Sequence, residues 1–547
     1  MRMGKLLFYW LPLVAVAIAA VFSFYGQAGE GSGSIRSVFR LNVGEDPVTL
    51  DPAAAQDISS VTVINHVMEG LTREEGDTGK YVPAVAERWT VSEDGLTYTF
   101  TLRESAKWSN GDPVKAGDFV YAWQRALAPE RQKQSPYAYQ FFYLKNAKAY
   151  HEGAIADFNE VGVKAVDERT LELTLQYPAP FMDALVSQTT FFPVHSASVR
   201  AEGFQGFTTG TGLITNGPFQ LTEWKSKERI VLKKNETYYD AGEIRFSEAH
   251  LSMVPDGKQE LSLFASGKLD WAGRPYREFM PGELGTLQPS LKSKGIGSVY
   301  YLAVNALEPP FNQPAIRMAL SMTLSRSELL QRAGLTEQRE ALGFVPEGIR
   351  GAEGAAGDFR SQAGAAVPAQ HTEEARRLLA EGLKQAGMSE LPEIRFVINQ
   401  NEDHQRIAEA AAAMWKESLG VRVKIEPLAW DAFLSTMEFG NYHVARGGWA
   451  AEFNDPLAFL SMWSTSSANN TSGWRNEQYN NLIKEAYTLK ESEKRMQAMF
   501  AAEKLLVEEA VVIPIYYYSG SWLQHPGLRE VYLDYKGDIH FDRGYIE

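Results

Sequence analysis

Along this chain, short alternating runs of apolar and polar residues give way again and again to helical spacing. FRLNV (39–43), YTFTL (98–102) and TLELTL (170–175) alternate or are rich in β-branched residues and predict strands. VKAGDFVYAWQRAL (114–127) instead places Phe119, Trp123 and Leu127 on one helical face, with Asp118 in the first turn, where negative charge is favoured. ERIVLKKNETYYD (228–240) reads as a strand entering a turn. QELSLFASGKLDWAG (259–273) reads as a helix, a glycine stop and a strand. YYLAVN (300–305) is a further strand. The prolines of EPPFNQP (308–314) end its ladder, and AIRMALSMTLSRSELLQRAG (315–334) predicts one helix closing at Gly334. Residues 349–370 are rich in Gly and Ala, lack periodicity and predict a surface connection. After them Thr372 is expected to cap a helix with Ala375, Leu378, Leu379 and Leu383 on one face. Helix-then-strand units of this kind point to α/β layers.

The segment 393–449 is the most informative. EIRFVINQN (393–401) predicts a strand. His404–Leu419 predicts a helix with Ile407, Ala411, Met414 and Trp415 on one side and Gly420 as its stop, and VRVKIEPL (421–428) a second strand. Such a β-α-β crossover is right-handed in nearly all proteins. It puts His404 where a strand's carboxyl end meets a helix N-terminus, the place where open α/β sheets bind ligands and where free N–H groups attract anions. A ligand carboxylate beside His404 and a simple capping or surface histidine are both open on this argument.

The chain's 547 residues exceed what one core usually supports and suggest two to four domains. A formal charge of −14 speaks against nucleic acid, whose phosphates need basic stripes. With no cysteine, disulfides, thiolate metal sites, a thiol nucleophile and a lipid-modified cysteine are excluded. Arg2 and Lys5 precede an uncharged stretch, Leu6–Tyr25, followed by GQAGEGSGS (26–34). Residues 1–28 are therefore expected to be a cleaved export signal or an uncleaved anchor, and 29–36 a flexible linker. Both readings put the folded part outside the cytoplasm.

Catalytic signals are missing. No phosphate loop, dinucleotide fingerprint, H-E-x-x-H or G-x-S-x-G elbow occurs, and the nine histidines are scattered. Neither an enzyme nor a cofactor or metal is expected. The 12 tryptophans and 24 tyrosines include clusters such as 516–518 and Trp430, Trp449, Trp463 and Trp474, which suit a ligand surface as well as a core.

Several segments resemble the family 5 extracellular solute-binding proteins, and among them the periplasmic oligopeptide-binding proteins. They are GEDPVTLDP (44–52), VPAVAERWTVSEDGLTYTFTLRESAKWSNGDPVKAGDFVYAWQRALAP (82–129), TNGPFQLTEWKSKERIVLKKNETYY (215–239), YYLAVNALEPPFNQPAIRMAL (300–320), VARGGWAAEFNDPLAFL (444–460) and VVIPIYYY (511–518). The resemblance implies a three-lobed α/β fold of the type II periplasmic-binding-protein class with a hinge between its two main lobes. Lobe I would comprise 37–56, 183–287 and 519–547, lobe II 57–182 and lobe III 288–518. It implies a monomer in the periplasm that encloses short peptides in a closing cleft and delivers them to an integral-membrane ABC permease. Murein peptides, dipeptides, opines and a membrane-anchored peptide sensor are the alternatives it leaves open.

Residue by residue, the resemblance implies that Glu452 meets the peptide's α-amine, where oligopeptide binders commonly have Asp. Arg446 and His404 would meet its carboxylate, and Trp430 and Trp449 would line side-chain pockets. Tyr121 and Tyr518 would face the cleft, with Asp46 near the ligand's start. Met437 stands where oligopeptide binders can have an arginine, and Ser298 and Ala450 where some relatives have a disulfide.

Overall fold

The computed structural model describes residues 37–547, apart from 77, 203, 204, 278, 280, 281 and 468. The expected export segment and linker lie outside the described residues. Among those described, no helix is long and apolar enough to cross a membrane.

One eleven-stranded mixed sheet runs through most of the molecule. Ten of its strands are β1 (Val38–Asn42), β2 (Phe219–Lys225), β3 (Arg229–Lys234), β4 (Glu248–Ser252), β5 (Trp271–Arg277), β6 (Leu291–Val304), β7 (Ile394–Asn399), β8 (Val423–Leu428), β9 (Val444–Ala450) and β10 (Val512–Gln524). They lie in the order 8-7-9-6-10-5-1-4-3-2, and the short strand Arg339–Glu340 pairs with β10 off this path. Several strands are buried on both faces. Phe396 and Ile398 enter one apolar core while Val397 enters another, and Tyr300, Leu302 and Val304 alternate in the same way with Val299, Tyr301 and Ala303. This two-sided burial explains the near-continuous apolar runs of these strands.

β7, helix α3 (Glu402–Leu419) and β8 form the predicted crossover, with the strands parallel from Ile394↔Val423 to Asn399↔Leu428. Trp415 fixes the helix from inside, its indole N–H donating to the Leu320 carbonyl at 2.9 Å. A separate four-stranded antiparallel sheet (86–91, 97–102, 170–174 and 163–165) packs under helix α2 (Ala116–Leu127), whose Phe119, Trp123 and Leu127 are buried as their spacing predicts. Helix α1 (Ile58–Val67), capped by Asp57, packs against β2 of the large sheet.

Three local expectations change. The helix predicted over 315–334 is two helices, Pro314–Met322 and Arg326–Ala333. Ser325 caps the second, and Arg326 donates to the carbonyls of Ser321 and Leu324, so the polar groups of the break are paired. His371, not Thr372, caps the helix Thr372–Gln385, its Nδ1 accepting from the Glu374 N–H. The connection 349–370 is not all surface: Phe359 and Arg360 are buried, and Arg360 is paired with Glu503.

Two of the expected lobe boundaries fall on or beside strands of the large sheet. Position 518/519 falls inside β10, and 287/288 just before β6. These two strands cross together from one side of the molecule to the other, with their register shifted between Gly295 and Val299. At the shift the Gly297 N–H leaves the ladder and donates to the Tyr535 carbonyl.

Beyond β9, a buried carboxylate organises the loop 451–456. Asp455 accepts both arms of Arg495 at 2.7 Å and lies 3.6 Å from Arg350, which reaches Asp183 at 2.9 Å. Burial alone would raise the Asp455 carboxyl, but the two guanidinium groups hold it below its ordinary value. Asp455→Asn leaves Arg495 buried without its counter-charge. It should lower stability by about 3–5 kcal/mol, read as an earlier guanidinium-unfolding midpoint; an unchanged midpoint would remove the network from this account. Ser298 and Ala450 are register partners on β6 and β9. Cysteines at both positions should form a disulfide under oxidising conditions, within the Cα distances such bonds require. Persistence of two free thiols on mass spectrometry would show that the pair is not in register.

Candidate functional site

The site is built on an incomplete strand edge. β9 pairs with β6 along its length, from Ser298↔Ala450 to Val304↔Val444, but with β7 only at Phe396↔Val444 and Val397↔Ala445. Beyond Ala445 no strand covers its outer edge among the described residues. Ala451 donates its N–H to Gly297 on the β6 side. By the alternation of an antiparallel ladder, the N–H and C=O groups of Gly448 and Ala450 then point outward. Both residues are exposed. Gly447 is needed beneath them, because a Cβ there would lie 2.3 Å from the Tyr301 ring.

At the start of this edge stands a basic, aromatic corner. Arg446 donates from Nε to Asn399 Oδ1, and its guanidinium lies 5.2 Å from the Phe433 ring centre and 5.6 Å from that of Trp430. Phe433 and Trp430 belong to α4 (Trp430–Glu438). Tyr518 lies alongside: a Cβ on Gly448 would sit 3.5 Å from both its hydroxyl and Arg446 Nη1. The His404 ring lies 5.5 Å from that of Tyr300, which stacks on Tyr516 at 4.9 Å. His404 Nδ1 and the Tyr300 hydroxyl are both buried without a hydrogen-bond partner. Such atoms are costly unless something fills their valence.

The helix N-terminus does not act through free N–H groups as expected. The Asn401 side chain already accepts from the N–H groups of Asp403 and His404 at 2.8 and 3.1 Å. What His404 offers is its ring. Burial and then the charge of Arg446 lower its pKa to about 4, so the imidazole is neutral at pH 7.

At the far end of the edge, Glu452 follows Ala450 by two residues. It lines a cavity of about 410 Å³ with Trp449, Ser298, Tyr137, Tyr139, Gln188 and Lys536. Burial raises the Glu452 carboxyl, against a hydrogen bond from Tyr139 and the charge of Lys536. The walls come from distant parts of the chain: the end of β9, the start of α1, the short 3₁₀ helix Ala138–Tyr143, residues 188–190 and the C-terminal stretch 536–538.

The structure thus brings Arg446, His404, Trp430 and Tyr518 to one end of the edge, and Glu452 and Trp449 to the other. Trp430 is 53% exposed, while Trp449 is half-buried and donates to the Ala458 carbonyl at 2.6 Å. Three other expected residues lie elsewhere. Tyr121 faces the guanidinium of Arg200 at 4.5 Å, away from the cavity. Asp46 accepts from Trp224, Ser226 and the Lys227 N–H at 2.7–3.0 Å and ties down the β2–β3 turn. Met437 packs against the apolar core beneath α4. Tyr137 and Tyr139, from SPYAYQ (135–140), occupy the cleft instead; the only signal for them in the sequence was aromatic density.

The sheet spanning both sides of a cleft, with two strands crossing between them, defines the type II periplasmic-binding-protein fold. The chain belongs to the bacterial extracellular solute-binding proteins, family 5, whose model matches residues 80–471. It is 33% identical to the oligopeptide-binding protein OppA of Bacillus subtilis, with 98% of each chain covered. It is 31% identical to the periplasmic murein peptide-binding protein MppA of Escherichia coli over 92% of this chain and 91% of that one. Among solved structures it superposes on the unliganded open form of MppA with a TM-score of 0.82 at 29% identity, covering 94% of this chain and 99% of that one. On OppA of Haemophilus influenzae in complex with RPPGFSPFR the TM-score is 0.64 at 28% identity, covering 93% and 99%. The conformation is therefore nearer the open form.

Because Arg446 helps hold the imidazole neutral, His404 should titrate by NMR with a midpoint near 4, and Arg446→Gln should move that midpoint upward. A midpoint near 6.5 in the unsubstituted protein would contradict this electrostatic picture.

Proposed function

We propose that this protein captures short peptides in extended conformation, by binding and not by chemistry, and passes them to an ABC-type permease from outside the cytoplasm. The observation that carries the proposal is the open edge of β9 with Glu452 beyond one end and Arg446 at the other. A peptide laid along it gains main-chain hydrogen bonds at Gly448 and Ala450, a contact that reads backbone and not sequence. Its α-ammonium meets Glu452, and its carboxylate meets Arg446, with the neutral His404 and the Tyr300 hydroxyl as further partners. Similar proteins named for oligopeptide, dipeptide and murein peptide binding support this class of ligand.

The geometry also bounds ligand length. Arg446 and Glu452 are six residue steps apart, about 20 Å of extended chain. The two side chains reach inward from each end, which brackets peptides of three to five residues. Roomy pockets beside Trp430 and Trp449 tolerate varied side chains, since bridging water costs little. In this reading lobes I and III close over the ligand by bending β6 and β10 near Gly297, and the three-lobed division expected from the sequence is kept.

Calorimetric titration with mixed tri- to pentapeptides should show binding, and N-acetylated versions should bind markedly more weakly. Glu452→Gln should cost about 1–3 kcal/mol of affinity, the scale of a charged hydrogen bond. Equal affinity for acetylated peptides, or an unchanged affinity in Glu452→Gln, would reject the role of Glu452.

A further inference from the structure

A second cavity, of about 490 Å³, lies behind the amine end of the cleft and shares Gln188, Thr189 and Asp538 with it as a common wall. Its lining is strongly acidic. Among the described residues, seven carboxylates face it against two arginines and one histidine. The basic groups are fewer and already engaged with carboxylates, Arg73 with Glu69 through its charge. Arg543 is bound to Asp240, and Arg73 leans on the same carboxylate at 3.7 Å. His540 is held by Asp534, which raises its pKa to about 9 against burial.

Two carboxylates remain underused. Glu69 is buried and accepts the Tyr238 and Tyr239 hydroxyls at 2.6 and 3.2 Å, both through Oε1. Its Oε2 is buried with no hydrogen-bond partner. Burial raises this carboxyl to about 7 in spite of those hydroxyls and the nearby Arg73. Asp538 stands in the shared wall, and its backbone is tied to Asp534, yet its carboxylate accepts no hydrogen bond among the described residues. Lys536 acts on both Glu452 and Asp538 through its charge and donates to Gln188 Oε1, so these two carboxylates share one ammonium group's charge. Gln188 is held in turn by the Ala184 carbonyl and the Tyr535 hydroxyl. The wall is thus a fixed post beside an unsatisfied carboxylate.

We infer that this cavity is a subsite for a basic group carried on the first residue of the ligand, an ammonium or guanidinium that passes Asp538 and reaches toward Glu69 Oε2. The inference rests on the peptide reading, with the α-amine at Glu452. A lysine side chain extends about 6 Å from its Cα, enough to leave the amine end of the cleft and enter the neighbouring space. A neutral side chain of equal length gains the same volume but brings no charge to either carboxylate.

The test is calorimetric titration of the protein with four tripeptides, X-Ala-Ala, in which X is lysine, arginine, norleucine or glutamate. Lysine and arginine are expected to bind at least tenfold more tightly than norleucine, with glutamate weakest. In Glu69→Gln the lysine-to-norleucine ratio should fall below threefold; if that variant does not fold, Asp538→Asn reads the same ratio. Equal binding of lysine and norleucine peptides, or a ratio unchanged in the variants, overturns the subsite and leaves the peptide reading intact. Absence of binding by all four overturns both.

Discussion

The cleft depends on one buried carboxylate. Asp455 lies between Arg495 and Arg350, and through Arg350 it is joined to Asp183. Asn454 strengthens the same junction by accepting the Arg350 N–H at 2.9 Å. The loop leaving β9 therefore has one course, and that course sets where Glu452 stands relative to Tyr139. Removing Asp455 would leave Arg495 without its counter-charge in a dry interior and Arg350 with Asp183 alone, a far larger disturbance than losing a surface ion pair.

Around that fixed loop the electrostatics run in one direction. Carboxylates gather where β9 ends, while a guanidinium framed by aromatic rings stands where its edge first opens. Partial burial strengthens both poles, because neither is fully screened by water. The neutral His404 fits this arrangement: a second positive charge beside Arg446 would have to be desolvated without a partner, so the ring stays unprotonated and offers hydrogen-bonding atoms instead.

Much of the fold could be read from the sequence because its signals are periodic. The β7–α3–β8 crossover, the Phe119–Trp123–Leu127 face and the place of His404 all follow from spacing. What could not be read has physical causes. The break at Ser325 is decided by a cap and by Arg326 reaching back to Ser321 and Leu324, and neither leaves a mark on the apolar pattern. Tyr121 and Tyr139 are both tyrosines near helical segments, and only tertiary packing sends one to Arg200 and the other to Glu452. Asp46 and Met437 are drawn into local structure, a turn and a core, by partners far away in sequence. The openness of the β9 edge depends on where β7 parts from it, which a pairing register shows and a single strand does not.

An uncovered strand edge has a cost outside binding, since it is a template on which another chain can add itself and begin aggregation. Here the exposed stretch is only a few residues long and is recessed between walls drawn from several parts of the chain. A formal charge at each end would oppose a longer strand sliding through. A short free segment can enter, but a neighbouring copy's sheet cannot be brought alongside. The depth that limits what can reach this edge also keeps another sheet from adding to it.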